Sequence, residues 1–222
     1  MVRSTGGQLR DGYRMARSTA GLPSGRSLHS VAVCGMGGSG VAGDILRTLY
    51  AGRLPVPIIA VKGYELPAFC GRDTLVLAVS FSGNTEETLA AYGEAVERGC
   101  RVVAISAGGE LASRAADDHV AHVELPGHVP VPRAALGYTS AVPIGLLEAM
   151  GLTPPAGEEI DRAEELLDEM SSRLGPELPL PENEAKQLAA WIGDRTPVVW
   201  GSEGVAAAAA VRWKTQLNEN GK

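Results

Sequence analysis

Residues 74–88 read T-L-V-L-A-V-S-F-S-G-N-T-E-E-T, and within this stretch a strand pattern gives way to a helix pattern. Thr74–Val79 is short, apolar and rich in β-branched residues, as strands of buried parallel sheets are. From Glu86 onward, apolar residues recur with the spacing of a helix. The stretch therefore predicts a buried strand, a turn, and a helix that begins at the carboxyl end of the strand.

The turn itself carries three hydroxyl side chains, Ser80, Ser82 and Thr85, around Gly83 and Asn84. A turn of this kind offers free amide hydrogens, and the positive end of a helix dipole, to an anion. The alternative is an ordinary helix cap made by Asn84 or Thr85. A cap needs only one such residue, so the cluster favours a phosphate site.

Composition restricts the class of protein. The 222 residues are 45% hydrophobic and carry a net charge of −6, so nothing points to nucleic acid or to an anionic membrane surface. Cys34, Cys70 and Cys100 have no paired spacing and are expected to be reduced thiols. No apolar run reaches the length of a membrane span, and no signal-peptide pattern is present. We expect a soluble, cytoplasmic protein without membrane or nucleic-acid partners.

Further strands alternate with helices along the chain, which indicates an α/β fold with a parallel sheet flanked by helices. In such sheets, ligands bind beyond the carboxyl ends of the strands, where the glycine-rich turn Gly35–Gly40 and the hydroxyl turn both lie. The other predicted strands are Ser30–Cys34, Pro57–Val61, Arg101–Ile105 and His119–Glu124.

Breaks in the pattern predict four parts: an N-terminal segment (1–27), a first α/β subdomain (28–152), a helical linker (153–182) and the beginning of a second, similar subdomain (183–222). The last part contains a predicted strand at Pro197–Trp200 and a helix from about Glu203 to Leu217. One strand cannot complete a sheet. We therefore expect the intact protein to continue beyond Lys222.

Gly35–Gly40 reads G-M-G-G-S-G and formally matches a dinucleotide fingerprint. That function would require an acidic residue at the end of the second strand, where Lys62 and Gly63 stand instead. Ser39 within the turn suits a sugar hydroxyl or a phosphate equally well. No cofactor is expected.

Neither metal ligation nor acyl-transfer chemistry is indicated. His119 and His122 form an H-x-x-H, but in a strand their imidazoles would point to opposite faces and would not share a metal. Arg133 follows a rigid Pro-rich segment and could pair with an oxyanion or phosphate. Glu219 lies between two asparagines at the end of a predicted helix and could act as a general base over a sugar.

Four motifs together resemble the sugar isomerase (SIS) domain, and more narrowly the bifunctional phosphoglucose/phosphomannose isomerase family. They are G-M-G-G-S-G-V-A-G-D (35–44), S-F-S-G-N-T-E-E-T (80–88), P-R-A-A-L-G-Y (132–138) and R-W-K-T-Q-L-N-E-N-G-K (212–222). The resemblance implies two flavodoxin-like SIS subdomains in a homodimer, with hexose 6-phosphate as the substrate.

The resemblance also implies roles for individual residues. Ser80, Ser82 and Thr85 resemble the phosphate-binding hydroxyls, and Gly38 with Ser39 resembles the sugar contacts. Arg133 resembles the arginine that stabilises an enediolate, and Glu219 the base that moves a proton between C1 and C2 without a metal.

The family also has a ring-opening histidine and a further lysine after the Asn-Glu-Asn motif, which would lie beyond Lys222. Two alternatives stay open. One is a non-catalytic sugar-phosphate-binding SIS module, and the other is an amino-sugar-phosphate isomerase.

Overall fold

The computed structural model describes residues 4–221, so Lys222 and the first three residues lie outside it. The described chain contains five strands: β1 (Ser30–Cys34), β2 (Ile58–Val61), β3 (Thr74–Val79), β4 (Arg101–Ser106) and β5 (Ala121–Glu124). Its helices are α1 (Thr5–Arg17), α2 (Gly37–Tyr50), α3 (Glu86–Glu97), α4 (Gly109–Asp117), α5 (Leu136–Ala149), α6 (Gly157–Arg173), α7 (Glu184–Ile192) and α8 (Val205–Asn220).

The strands form one parallel sheet in the order β2-β1-β3-β4-β5, which confirms the predicted flavodoxin-like α/β fold. β1 and β3 lie in the interior of the sheet, and every residue of both is buried. This burial explains their nearly continuous apolar sequences, because helices cover both faces.

Alternate strand residues face two separate cores, as the two-residue period of a strand requires. Val31, Leu75 and Ile105 pack with residues of α1, α2 and α5 on one face. Ala32 and Val76 pack with residues of α3 and α4 on the other. The sheet is therefore the middle layer of three.

Helix α1 belongs to the first packed unit, although it lies in the predicted N-terminal segment (1–27). It contacts α5 and α6. Glycines allow the close approach: a Cβ at Gly145 would lie 2.8 Å from the Cβ of Ala16, and one at Gly12 would lie 3.2 Å from the Cα of Tyr138. The segment before residue 28 thus completes the helical layer on that face.

The predicted strand at Pro197–Trp200 is wrong. These residues form no regular structure, and three of the four are exposed. A strand needs a hydrogen-bonded neighbour, and none pairs with this segment in the described residues. No helix within residues 4–221 is long and apolar enough to cross a bilayer.

Candidate functional site

The glycine-rich turn and the hydroxyl turn meet at the switch point of the sheet, where the order in which the chain adds strands reverses. The chain leaves β1 through α2 towards β2, whereas it leaves β3 through α3 towards β4 on the other side. β1 and β3 are adjacent, with Cys34 opposite Ala78 near their carboxyl ends. Crevices at such switch points are the usual ligand sites of open α/β sheets.

The glycine-rich turn is shaped by close backbone packing. Helix α2 begins at Gly37, which has a φ of +52°, so Ser39 lies in its first turn. A Cβ at Gly40 would lie 2.7 Å from the carbonyl oxygen of Gly35, and one at Gly38 would lie 3.5 Å from the backbone nitrogen of Arg133. Glycine at position 40 therefore lets α2 approach the end of β1, and the Arg133 loop lies within van der Waals distance of the start of α2.

Ser39 joins the two turns. Its side chain is buried, and its Oγ accepts a hydrogen bond of 3.2 Å from the backbone N–H of Phe81 in the hydroxyl turn. At the end of β2, where a dinucleotide site would need an acid, Lys62 forms an ion pair with Asp44 of α2. This arrangement does not favour a dinucleotide site.

In the hydroxyl turn, the three hydroxyls have different surroundings. Ser80 is buried, its Oγ accepts from the N–H of Gly83 (3.1 Å), and it lies 2.8 Å from the Oγ1 of Thr85. Ser82 is exposed, and its Oγ accepts from the N–H of Asn84 at 3.2 Å. Ser80 thus stabilises the turn from its buried side, while Ser82 faces solvent and Thr85 is half-buried.

The alternative of an ordinary cap on α3 is not what the structure contains. Thr85 occupies the N-cap position of α3 but makes no side-chain cap hydrogen bond. The Oδ1 of Asn84 accepts instead from the N–H of Glu110, in the first turn of α4, at 2.9 Å. The first backbone N–H groups of α3 have no acceptor within the helix, and neither the Thr85 nor the Asn84 side chain accepts from them. The positive end of the α3 dipole is therefore not covered by these two side chains. This arrangement suits an anion.

Sequence reasoning missed one further polar group at this helix end. The Oγ1 of Thr88 is buried and has no hydrogen-bond partner within the described residues. Its position in the first turn of α3 was visible in the sequence, but nothing local indicated that its hydroxyl would be left unpaired.

Arg133 and Glu219 meet, although they come from distant parts of the chain. Arg133 lies in a 3₁₀ turn, Pro132–Ala134, and Glu219 lies in the last turn of α8. The Nη1 of Arg133 donates to the Oε2 of Glu219 at 3.0 Å, and each side chain keeps about a third of its surface exposed (35% and 36%). The predicted cation and the predicted base therefore lie side by side and in reach of solvent.

Arg212 also contacts this loop. It precedes Glu219 by seven residues, which is about two turns of α8. Its Nη2 donates to the carbonyl oxygen of Arg133 at 2.9 Å, while its Nε and Nη1 are buried without a hydrogen-bond partner in the part of the chain described. Burial lowers the pKa of Arg212, and the charge of Glu219 opposes that shift. Helix α8 thus contacts Arg133 at both its main chain and its side chain.

The remaining candidates fall outside this crevice. The described residues contain no group of three or more His, Cys, Asp or Glu able to hold a metal ion. The cysteines are free thiols. A large open cleft of about 1110 Å³ is lined by residues 192–201 and by α8, and no residue of the two turns lines it. We place the candidate site at the switch point, because the polar groups converge there.

Comparison with known proteins agrees with this assignment of the fold. A family model described as the SIS domain matches residues 26–146, more than half of the chain. The chain belongs to the SIS-domain family. A second model, the bacterial phospho-glucose isomerase C-terminal SIS domain, matches residues 181–222.

Curated relatives confirm the narrower resemblance. The bifunctional phosphoglucose/phosphomannose isomerase of Caldicellulosiruptor bescii is 34% identical over 97% of this chain and 63% of its own length. That of Thermoplasma acidophilum is 37% identical over 87% of this chain and 56% of its own length. The chain therefore spans less than two thirds of the length of these relatives.

Solved structures show the same SIS fold at low identity. The C-terminal domain of glucosamine-fructose-6-phosphate aminotransferase from Francisella tularensis superposes with a TM-score of 0.71 at 15% identity, covering 98% of this chain and 66% of that one. Tagatose-6-phosphate ketose/aldose isomerase from Escherichia coli gives 0.52 at 16%, covering 84% and 52%.

Proposed function

We propose that the intact protein is an aldose–ketose isomerase of hexose 6-phosphates. It converts glucose 6-phosphate and mannose 6-phosphate to fructose 6-phosphate through a cis-enediol intermediate, without a metal. The names of the curated relatives support this substrate class.

One observation carries the proposal: contacts run without interruption from the hydroxyl turn to the acid–base pair. The N–H of Phe81 binds Ser39, Gly38 lies against the main chain of Arg133, and Arg133 binds Glu219. A sugar phosphate isomerase requires a binding site for the phosphate at one end of the substrate and a carboxylate base near the reacting carbons at the other.

Each group has a chemical task. The hydroxyls of Ser82 and Thr85 and the first amides of α3 bind the phosphate, and the energy of binding this remote group holds the reacting carbons in place. Glu219 removes the proton from C2 and returns it to C1. Arg133 stabilises the negative charge that develops on O1 and O2, the task that a metal ion performs in other enzymes.

Arg133 donates to the carboxylate of Glu219 at 3.0 Å before reaction. When Glu219 takes the C2 proton it becomes neutral, and the guanidinium can then pair with the negative charge that forms on the enediolate. Because a cis-enediol has lost the stereocentre at C2, one base at this position can serve both epimers. Ring opening is assigned to the histidine and lysine that the family resemblance implies beyond Lys222.

A second candidate is a reaction on amino-sugar phosphates. The D-glucosamine-6-phosphate 4-epimerase of Sulfolobus acidocaldarius is 28% identical over 90% of this chain and 60% of its own length. A 4-epimerase acts at another carbon of the same class of substrate, so phosphate binding would be shared and the position of Glu219 relative to the sugar would differ.

The test is a coupled assay on this polypeptide and on the full-length product of its gene. Formation of fructose 6-phosphate is followed separately from glucose 6-phosphate and mannose 6-phosphate, with a chelator present. We expect turnover of both by the full-length product. If sugar phosphates bind but neither substrate is converted, the isomerase proposal fails and a non-catalytic binding module remains. Glucosamine 6-phosphate is tested in parallel.

The organisation of the protein completes the proposal. We infer a cytoplasmic homodimer in which 28–152 is the first SIS subdomain, 153–182 a helical linker and 183–222 the beginning of the second. The match of 181–222 to a C-terminal SIS domain supports the last boundary.

A further inference from the structure

A second turn lies directly against the hydroxyl turn and holds it in shape. It is formed by residues 106–111, between β4 and α4, and we call it the support turn. The N–H of Ala107 donates to the carbonyl of Phe81 (2.9 Å), and the N–H of Leu111 donates to the carbonyl of Gly83 (2.9 Å). The N–H of Glu110 also donates to the Oδ1 of Asn84, so three N–H groups of the support turn donate to the hydroxyl turn.

The fit between these turns is tight. Gly83 has a φ of +72°, and a Cβ there would lie 1.8 Å from the carbonyl oxygen of Gly108. A Cβ at Gly109 would lie 2.4 Å from the carbonyl oxygen of Ser82. A small movement of the support turn must therefore move the amides and hydroxyls that face the anion.

The support turn is itself fixed by one buried hydroxyl. Ser106 is fully buried, and its Oγ donates to the carbonyl of Gly108 at 2.8 Å and accepts from the N–H of the same residue at 3.3 Å. The Nε2 of His122, on the neighbouring strand β5, lies 2.8 Å from this Oγ. A hydroxyl has one proton and two lone pairs, so the bond to His122 uses its last lone pair.

We assign the tautomer of the imidazole from this count of protons. With the Ser106 proton placed on the Gly108 carbonyl, His122 is the donor and its proton is assigned to Nε2. Burial lowers the pKa of His122, against the opposing charge of Glu124, so the ring is neutral at pH 7. His122 is thus a neutral hydrogen-bond donor to Ser106. Ser106 in turn binds the main chain of Gly108, which packs against Gly83 of the hydroxyl turn.

We propose that His122 and Ser106 are positioning residues for the phosphate site, acting through the support turn. This inference rests on the anion site of the proposed function. It assigns a role to a histidine whose sequence context suggested none, and it requires no contact between His122 and the ligand.

The test measures binding of inorganic phosphate and of glucose 6-phosphate to this polypeptide by calorimetry, together with thermal unfolding. His122→Leu removes the donor, and His122→Gln keeps an N–H near the position of Nε2. His29→Leu is the control, because His29 is exposed and lies at the amino end of β1, away from the carboxyl ends that carry the two turns. We expect His122→Leu to weaken phosphate binding about tenfold, a factor equivalent to one hydrogen bond of about 1.4 kcal/mol, with His122→Gln restoring most of the affinity.

Two results would overturn the inference in distinguishable ways. If the wild type binds phosphate and folded His122→Leu binds it within twofold, the positioning role is wrong and the proposed function stands. If the wild type binds neither ligand, the anion site itself is wrong. Should His122→Leu fail to fold, ¹⁵N NMR of the wild type decides: the role requires the Nε2–H tautomer and a response of the His122 ring to phosphate, and an Nδ1–H tautomer contradicts it.

Discussion

Glu219 accepts a hydrogen bond of 3.0 Å from Arg133, a residue 86 positions earlier in the chain. The pair joins the last turn of α8 to the loop that lies against Gly38, and so it links the second part of the chain to the glycine-rich turn of the first. Each predicted role of the site can be tested against this arrangement.

Glu219→Gln should separate catalysis from binding. The amide still accepts from Arg133 but cannot take a proton from C2, so turnover by the full-length protein should fall by about 10²–10⁴-fold. Sugar phosphate affinity should stay within a few-fold, and stability should change by less than about 1 kcal/mol because the ion pair is partly exposed. Exchange of the C2 proton with solvent deuterium measures the chemical step directly. Retention of more than a tenth of the exchange rate would show that another group is the base.

Arg212→Met tests whether a buried guanidinium supports Arg133. Two of its nitrogens are buried without partners in the described residues, so its removal should cost little stability while releasing the carbonyl of Arg133. We expect turnover to fall by about tenfold, the effect of losing one hydrogen bond that orients Arg133. Arg195→Met, at an exposed arginine of the same region, is the matched control. Equal activity of the two variants would contradict the role of Arg212.

Ser82→Ala should affect phosphate binding, whereas Ser80→Ala should affect stability. Ser82 is exposed and bonded only to the N–H of Asn84 in the described contacts, so its loss should weaken phosphate binding with little change in unfolding temperature. Ser80 is buried and supports Gly83 and Thr85, so its loss should cost about 1–3 kcal/mol of stability. Calorimetry with phosphate and urea unfolding distinguish the two. The same loss of stability in both variants would argue against separate functions.

Gly83→Ala should destabilise the protein, because the residue combines a φ of +72° with a site for Cβ only 1.8 Å from a carbonyl oxygen. The left-handed backbone alone costs about 1–2 kcal/mol for alanine, and the clash adds to it. Gly63→Ala is the control, since a Cβ there meets nothing within 4 Å. Urea unfolding should show the loss only for Gly83→Ala, and phosphate binding should disappear with it.

Stability should fall at alkaline pH, in part because of Cys34. Burial raises the pKa of its thiol from 9.0 to about 12, so the folded state keeps a proton that the unfolded state releases. The contribution is complete below pH 9 and is lost as the pH rises towards 12. At pH 10.5 the wild type should have lost about 2 kcal/mol more than Cys34→Ala, at about 1.4 kcal/mol per pH unit. Parallel curves of unfolding free energy against pH for the two proteins would refute this.

The sequence alone was sufficient to predict those elements whose structure is determined by a local pattern of residues. The apolar runs of β1 and β3 and the residues of both turns were readable because burial and backbone geometry select them directly. The pairing of Arg133 with Glu219 was not readable in this way: each residue was a candidate from its own local context and from the family resemblance, but no local pattern indicates a contact across 86 positions.

The failures share a physical cause. Pro197–Trp200 has the composition of a strand, but a strand exists only when another pairs with it, and no such partner lies in the described residues. Asn84 was considered only as an alternative cap for α3, and its side chain instead accepts from the N–H of Glu110 in the first turn of α4. In both cases the outcome depended on a neighbour distant in sequence.

The link through Arg133 and Glu219 also has a consequence for how such a site can be gained or lost. Every group assigned to the anion lies before residue 89, on strands and turns that pack without α8. The proton-transferring carboxylate comes from α8, as does Arg212, which binds the main chain of Arg133. Substitutions in α8 should therefore be able to remove proton transfer while leaving the proposed phosphate-binding groups in place.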